Sequence, residues 1–163
     1  KTYADADPVI SKQIEKAKIE IAGEDFREGL TAMMEAEIGI YRSAENCARA
    51  SAKIKELKAR YKNVRVTDHS DTFNTDWLTT IELGYLLDVA ETMIYSAEQR
   101  TESRGSHQRL DYPERDDDKF LKHTLAFRQE NGEKPEIAYS DVCITKSQPA
   151  KRVYGAEAEK ANH

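Results

Sequence analysis

The sequence predicts a mainly α-helical domain that ends in a small β-hairpin element. Apolar residues recur at spacings of three and four through most of the first 102 residues, which indicates packed helices. Two short apolar runs then flank an Asn131-Gly132 pair, which favours a tight hairpin turn. The length of 163 residues suits one domain. We expect a single domain at 1–154, with a bundle at about 8–102, a loop and hairpin at about 103–154, and a mobile tail at 155–163.

Two helices are predicted before residue 42. The first has an Asp7 cap and Pro8 in its first turn, and Gly23 provides a stop. Its apolar positions are Ile10, Ile14, Ala17 and Ile21. The second begins near Asp25, and its broad apolar stripe consists of Phe26, Leu30, Met33, Met34, Ile38 and Tyr41.

The third predicted helix follows a Ser43 cap and has a heptad-like seam. The seam consists of Cys47, Ala50, Ile54, Leu57 and Tyr61. Charged residues occupy the outer faces, so the basic residues of this stretch suit a solvated helix face better than a phosphate-binding surface. Nucleic acid is therefore not an expected partner. Val64 and Val66 favour a short extended piece before a loop at 68–73.

The fourth helix is predicted over about 75–102, with Asn74 or Thr75 as its cap and Asp76 near the positive end of its dipole. One apolar seam consists of Leu83, Leu86, Ala90, Met93 and Ala97, widened by Leu87 and Ile94. A second stripe consists of Leu78, Ile81, Tyr85 and Val89. A helix that is apolar on two sides should contact two partners, and we expect the first seam to pack against the third helix.

The character of the chain changes after residue 102. Ser103 to Asp118 is polar and predicts a loop, whereas Leu121 to Gln129 and Ile137 to Thr145 resemble strands. From Gly155 onward the chain has no core-forming residues, which is typical of a terminal tail.

Composition limits where the protein works. A charged fraction of 34% and a net charge of -5 indicate a heavily solvated surface. No apolar run approaches the roughly 20 residues that cross a bilayer, and no secretory h-region opens the chain, so direct membrane insertion is not expected. Cys47 and Cys143 lie in apolar patterns without metal-binding spacing. We interpret them as two buried thiols in a reducing compartment, the cytoplasm.

The chain lacks the common motifs of catalysis and cofactor binding. It contains no G-x-G-x-x-G, no P-loop and no H-E-x-x-H pattern. His69-Ser70-Asp71 has the residue types of a hydrolytic triad, but a triad is assembled in space, and a loop is the better interpretation. His69, His107 and His123 are too dispersed to indicate a metal site. We therefore assign no catalytic, cofactor-binding or metal-binding residue.

The segment from Glu102 to Arg109 concentrates unusual chemistry where the long helix should end. It combines a glycine, an imidazole, small hydroxyls and two guanidinium groups. A guanidinium is a planar fork of donors that suits carboxylates or backbone carbonyls of a docked surface. Arg104, His107 and Arg109 are therefore candidate docking residues. The alternative is an ordinary helix terminus with solvated side chains, and this chemistry leaves both interpretations open.

This segment resembles the E-S-R-G-A-H-x-R signature of the flavoprotein subunits of succinate dehydrogenases and fumarate reductases, with Ser106 in place of the alanine. Further blocks lie upstream and downstream of it, appear in family order and span about residues 40–155. They are Phe73 to Asp76, Thr80 to Gly84, Arg115 to Asp117, Phe120 to Phe127, Tyr139 to Val142 and Pro149 to Gly155. The two upstream blocks resemble the entry to the long helix in bacterial fumarate reductases, and the blocks together favour fumarate reductase over succinate dehydrogenase.

The resemblance implies a spectrin-repeat-like antiparallel helical bundle followed by a small β element. It also implies a longer subunit, in which a dinucleotide-binding domain with covalently attached FAD and a capping domain precede this one. Fumarate is reduced to succinate between those two domains. The family's flavin-linking histidine, catalytic arginine and catalytic histidines have no matching positions here. The chain is therefore expected to be an excised domain that binds no cofactor and is inactive alone.

The implied partners are the flavin and capping domains of the same subunit and the iron–sulfur subunit of the complex. The resemblance places that complex in anaerobic electron transport, peripheral to the inner membrane on its cytoplasmic side. Arg104, His107 and Arg109 are expected to face the flavin domain, unless Arg104 only orders its own domain by holding the acidic run at 116–118. Two alternatives stay open for the chain: a free-standing helical interaction module, or the same domain of a succinate dehydrogenase.

Overall fold

The computed structural model describes residues 23–129 and 134–150. Its elements, in chain order, are α1 (Gly23–Ile38), β1 (Tyr41–Arg42), α2 (Ala44–Tyr61), α3 (Thr75–Gln99), β2 (Gln108–Arg109), α4 (Asp117–Phe120), β3 (Lys122–Phe127) and β4 (Glu136–Asp141). The predicted mainly α-helical class with a small hairpin is confirmed. The first predicted helix, the Asn131-Gly132 turn and the predicted tail lie outside the described residues.

Successive helices of the bundle run antiparallel. Tyr61, at the end of α2, donates its hydroxyl to the carbonyl of Thr80 near the start of α3 (2.8 Å). Ser51, nearer the start of α2, bonds Tyr95 near the end of α3 (3.0 Å). The two helices approach closely at Gly84, where a Cβ would come within 2.7 Å of the Tyr61 hydroxyl oxygen. Glycine is therefore the residue that lets this end of the bundle close.

The core lies between the three long helices. Its buried members are Phe26, Leu30, Ile38, Cys47, Ala50, Ile54, Leu57, Leu83, Leu87, Ala90, Ile94 and Ala97. A fully buried Leu or Ile side chain contributes about 1.5–3 kcal/mol relative to an exposed one, so these positions carry much of the folding free energy. The predicted seam of α2 is confirmed from Cys47 to Leu57, and the Ser43 hydroxyl caps that helix by accepting from the Asn46 N–H (3.1 Å).

The loop before α3 is ordered by two side chains of the helix terminus. The Asp76 carboxylate accepts from the backbone N–H groups of Thr67 (2.6 Å) and Asp68 (3.1 Å). The side chain of Asn74 accepts from the Trp77 N–H (2.8 Å), which confirms the predicted cap. These bonds fix the loop on the first turn of α3, where the helix dipole favours a carboxylate.

Two helices end earlier than their apolar patterns predict. The predicted stripe of the second helix includes Tyr41, but α1 ends at Ile38 and Tyr41 lies in β1. The cause is Arg42, whose Nε donates to the carbonyls of Ile38 (3.2 Å) and Gly39 (2.6 Å) and so caps the last turn. Likewise, α3 ends at Gln99 rather than near residue 102.

The buried face of α3 differs from the predicted seam. Leu87 is 1% exposed and buried, whereas Leu86 is 41% exposed, and Met93 is exposed as well. Leu86 and Leu87 project about 100° apart on a helix of 3.6 residues per turn. Lys58 of α2 contributes to this rotation, because its ammonium binds both Asp88 (2.9 Å) and Glu91 (2.6 Å) on α3. That orientation directs Leu87 into the core.

The predicted hairpin is confirmed, with β3 and β4 paired antiparallel in a register that runs from Lys122↔Asp141 to Phe127↔Glu136. Phe120 is buried against the edge of the Tyr139 ring, with centroids 5.8 Å apart. The prediction of two buried thiols is right for Cys47 and wrong for Cys143, which is exposed. Strand β4 ends at Asp141, so Cys143 lies beyond the paired residues.

Candidate functional site at the exit of the long helix

The segment that follows α3 forms a tight turn. The N–H of Arg104 donates to the carbonyl of His107 (2.8 Å), and the N–H of His107 donates back to Arg104 (3.0 Å). Gly105 at the corner has a φ of 59°, a left-handed conformation that favours glycine. The chain then enters β2, which pairs with β1 in parallel. The N–H of Gln108 donates to Ile40 (3.0 Å), which fixes the turn beside the end of α1.

A buried carboxylate organises one side of the turn. Glu102 is 0% exposed and accepts from Arg104 through Nε (2.8 Å) and Nη2 (2.9 Å), from the Asp116 N–H (2.8 Å) and from Arg100. Burial alone would raise the pKa of Glu102, but the hydrogen bonds from Arg104, the Asp116 N–H and Arg100 outweigh it and hold that pKa below its usual value. Glu102 is therefore ionised and fully paired.

Arg104 links this carboxylate to the acidic run. Its Nη2 also donates to Asp117 (2.6 Å), whose second carboxylate oxygen binds Arg115 (2.7 Å). Asp116 caps the short helix α4 by accepting from the Lys119 N–H (3.0 Å). The turn, the acidic run and α4 are thus joined through charge-assisted hydrogen bonds.

Arg109 closes the end of the long helix from inside the protein. Its side chain is 2% exposed. Nη1 donates to the carbonyls of Ala97 (2.9 Å), Glu98 (3.1 Å) and Arg100 (3.2 Å) at the end of α3. Carbonyls at a helix C-terminus accept no hydrogen bond from the helix itself, so they need such a donor. Asp111 takes the other donors of the guanidinium (2.8 and 2.7 Å). These bonds from Arg109, followed by the Ala44 N–H, lower the pKa of Asp111 to about 2 despite partial burial.

His107 lies between two arginines. Its Nδ1 is 2.8 Å from Nη1 of Arg42, and its Nε2 is 3.0 Å from the carbonyl oxygen of Arg100. Burial lowers the pKa of His107, and the positive charges of Arg42, Arg109 and Arg100 lower it further, whereas the bond to the Arg100 carbonyl raises it. The imidazole is therefore neutral at pH 7.

The structure brings the three candidate docking residues together, because Arg104, His107 and Arg109 all belong to this turn. Each makes hydrogen bonds within the chain, and this geometry supports the alternative in which the segment orders its own domain. Arg104 keeps 27% of its side chain exposed, and its docking role stays a prediction.

Sequence reasoning missed two partners of the turn. Asp111 could have been found, since it follows Arg109 by two residues. Arg42 carried no such signal, because it precedes His107 by 65 residues.

The fold and the turn together define a mainly helical class of domain in which charged groups order one end of the described bundle. Within residues 23–129 and 134–150, no cluster of three or more His, Cys, Asp or Glu side chains could hold a metal ion. In the same part of the chain, none of the helices is long and apolar enough to cross a membrane.

Residues 27–154 match the family model described as fumarate reductase flavoprotein C-term, and the chain belongs to this family. The fumarate reductase flavoprotein subunit of Haemophilus influenzae is 61% identical over 135 residues, which cover 83% of this chain and 22% of that subunit. A solved structure of Escherichia coli quinol fumarate reductase superposes with a TM-score of 0.76 at 53% identity, covering 81% of this chain and 23% of that one. The succinate dehydrogenase flavoprotein subunit of Rickettsia bellii is 36% identical, over 80% of this chain and 23% of that subunit. The chain thus spans under a quarter of these relatives.

Proposed function

We propose that this domain serves as a structural and docking domain for the rest of a fumarate reductase flavoprotein subunit. In that assembly, other domains of the subunit hold FAD and reduce fumarate to succinate. The observation that carries the proposal is an apolar face of α3 that lies outside the described core. Its exposed members are Trp77, Leu78, Tyr85, Leu86, Val89 and Met93.

This face differs from the scattered apolar residues of an ordinary surface. Leu78, Leu86 and Val89 recur at helical spacing along one side of α3, next to the buried stripe. Exposed apolar residues that form a continuous patch mark interaction surfaces. Family membership favours the flavin and capping domains of the same subunit as the occupants of this face, because the match covers only 22% of the relative from Haemophilus influenzae and leaves the rest of that subunit available for contact.

Further partners follow from the assembled relatives. We propose an iron–sulfur subunit as a second contact and a complex peripheral to the inner membrane on its cytoplasmic side. The support is the similarity to a structure named as a quinol fumarate reductase, together with the absence of a membrane-spanning helix among the described residues. Arg104, His107 and Arg109 remain our proposed docking segment toward the flavin domain. Arg104, with 27% of its side chain exposed, would make the direct contact, whereas Arg109, with 2% exposed, would support the turn from inside.

The chemistry belongs, in this proposal, to the parts of the subunit beyond the chain. No residue of the chain is proposed as catalytic, and FAD is proposed for the full-length subunit only. The chain purified alone should therefore show no flavin absorbance and no turnover with fumarate and a reduced viologen dye. Stoichiometric yellow cofactor, or measurable turnover, would overturn this part of the proposal.

A separated-domain experiment tests the docking role. The chain is co-expressed with a fumarate reductase flavoprotein subunit from which the matching segment has been deleted. We expect the two pieces to co-purify and fumarate reduction to return. Leu86→Lys combined with Val89→Lys should abolish co-purification, because it places two charges on the apolar face, whereas Lys55→Glu on the exposed side of α2 should not.

The same experiment separates the alternatives. Failure of the parent chain to associate with the deleted subunit would instead favour a free-standing interaction module. The succinate dehydrogenase alternative predicts equal or stronger association with a deleted succinate dehydrogenase subunit. The sequence identities of 61% and 36% favour the fumarate reductase partner.

A further inference from the structure

Arg42 and His107 connect the ends of two helices, α1 and α3, that are distant in sequence. The guanidinium of Arg42 holds the last carbonyls of α1 through Nε, at Ile38 (3.2 Å) and Gly39 (2.6 Å). Its Nη1 reaches Nδ1 of His107 in the turn after α3 (2.8 Å). Beside this contact, β1 and β2 form a two-residue ladder in which the N–H of Leu110 donates to the carbonyl of Arg42 (2.8 Å).

Only one protonation state of His107 satisfies both of its contacts. Nε2 faces the carbonyl oxygen of Arg100, so it must carry the proton and donate. Nδ1 faces an N–H of Arg42, which has no acceptor, so Nδ1 must carry a lone pair. A second proton would set N–H against N–H and would place two positive groups in contact.

The charges around the imidazole oppose that second proton. Arg42 approaches from β1, Arg109 from β2 and Arg100 from the end of α3. From α2, the buried thiol of Cys47 lies near Arg42 and Arg109, and Glu98 of α3 acts on that thiol rather than on the imidazole. The nearby carboxylates are engaged elsewhere: Asp111 with Arg109 and the Ala44 N–H, and Glu102 with Arg100, Arg104 and the Asp116 N–H. Within the described residues, no carboxylate forms a hydrogen bond with the imidazole, so a second proton there would gain no direct ion pair.

We propose that His107 is a pH-sensitive latch: its neutral ring ties the turn after α3 to the end of α1, and protonation releases the β1–β2 ladder. The surroundings keep the pKa of His107 in the closed state below the ordinary 6.5. An opened turn has the ordinary pKa and takes up the proton first. Opening should therefore become easier as the pH falls below about 6.5, by up to about tenfold per pH unit, and should not change above that value.

This inference does not depend on the proposed docking role, and the 163-residue chain can test it directly. Amide hydrogen exchange is measured from pH 7.5 to 5, and the rates are converted to protection factors to remove the intrinsic pH dependence. We expect the protection of the ladder amides of Gln108 and Leu110 to fall by up to about tenfold per unit below about pH 6.5. The amide of Leu87, in the middle of α3, should keep its protection.

Two substitutions identify the responsible group. His107→Gln offers an acceptor and a donor without titrating in this range, so the pH dependence should disappear. His123→Gln, at an exposed position on β3, should leave it intact. A flat profile in the parent chain, or an unchanged fall in His107→Gln, would overturn the latch. If His107→Gln does not fold, the pKa of His107 measured by NMR in the parent decides: a value below 6.5 supports the proposal, and a value at or above 6.5 contradicts it.

Discussion

Arg109 and Asp111 form a two-pronged ion pair, with Nε–Oδ1 and Nη2–Oδ2 distances of 2.8 and 2.7 Å. The pair connects the two largest helices, because Arg109 also holds the last carbonyls of α3 and Asp111 accepts the N–H of Ala44 at the start of α2 (2.9 Å). Arg109, a residue of the family signature, therefore connects α3 to α2 through Asp111.

Arg109→Ala should lower the free energy of unfolding by about 3 kcal/mol, because it removes the buried donor to the carbonyls of Ala97 and Glu98 and the charged partner of Asp111. Urea unfolding followed by circular dichroism measures the difference. Arg128→Ala provides the control, since Arg128 is exposed and its ion pair with Asp88 is long, at 3.5 Å, and therefore weak. An equal loss of unfolding free energy in the two variants would contradict the role of Arg109 in connecting α2 and α3.

The same pair predicts a pH dependence. The pKa of Asp111 is lowered from 3.8 to about 2 in the folded chain, chiefly by the hydrogen bond from Arg109. A lowered folded-state pKa contributes stability above the unfolded-state value, and that contribution is lost as the pH falls through about 2. Asp111→Asn should thus have a lower free energy of unfolding than the parent at pH 5. The difference in free energy of unfolding between the two should become smaller toward pH 2. Urea unfolding measures this difference at each pH. A difference that stays constant from pH 5 to pH 2 would show that the ionised Arg109–Asp111 pair does not cause it.

Leu86 and Leu87 make a matched test of the rotation of α3. Leu87→Ala should cost about 3 kcal/mol, the usual price of a cavity in a packed core. Leu86→Ala should change stability by less than about 1 kcal/mol, because its side chain already contacts water. Similar melting temperatures for the two variants would show that the helix is rotated differently.

Arg104 separates the docking prediction from the ordering alternative. If the arginine mainly orders the turn, Arg104→Ala should destabilise the chain by about 1.5–3 kcal/mol through the loss of its bonds to Glu102 and Asp117. If it mainly docks, the isolated chain should melt almost unchanged while association with the rest of the subunit weakens. Thermal unfolding of the chain and co-purification with the deleted subunit measure the two effects. Arg104→Lys, which keeps the charge but not the fork, shows whether the planar geometry matters.

Much of the helical structure could be predicted because its signals are local. The Ser43 and Asn74 caps and the Cys47–Leu57 seam each depend on residues within a few turns of one another. The choice between Leu86 and Leu87 could not be predicted, since α3 is apolar on several sides and its rotation depends on contacts with other helices, such as the ion pair of Lys58 with Asp88.

The candidate site was predictable as a segment but not as a set of contacts. The signature placed Glu102 to Arg109 at the end of the long helix. The contact that holds His107 comes from Arg42, which precedes it by 65 residues and lies at the end of another helix. A contact between residues so far apart cannot be predicted from local sequence spacing. The burial of Arg109 and the neutral state of His107 could therefore be determined only from the structure.

The parallel β1–β2 ladder has a consequence for the order of folding. It pairs Arg42 with Arg109 and so closes a loop that contains all of α2 and α3. The α2–α3 hairpin can form from contacts between neighbouring elements. Formation of the ladder, in contrast, carries the entropic cost of closing this long loop. The ladder should therefore form late, and Arg109→Ala should accelerate unfolding while leaving the refolding rate nearly unchanged, as stopped-flow measurements in urea can show. A slowed refolding rate would instead place the closure of this loop in the rate-limiting step.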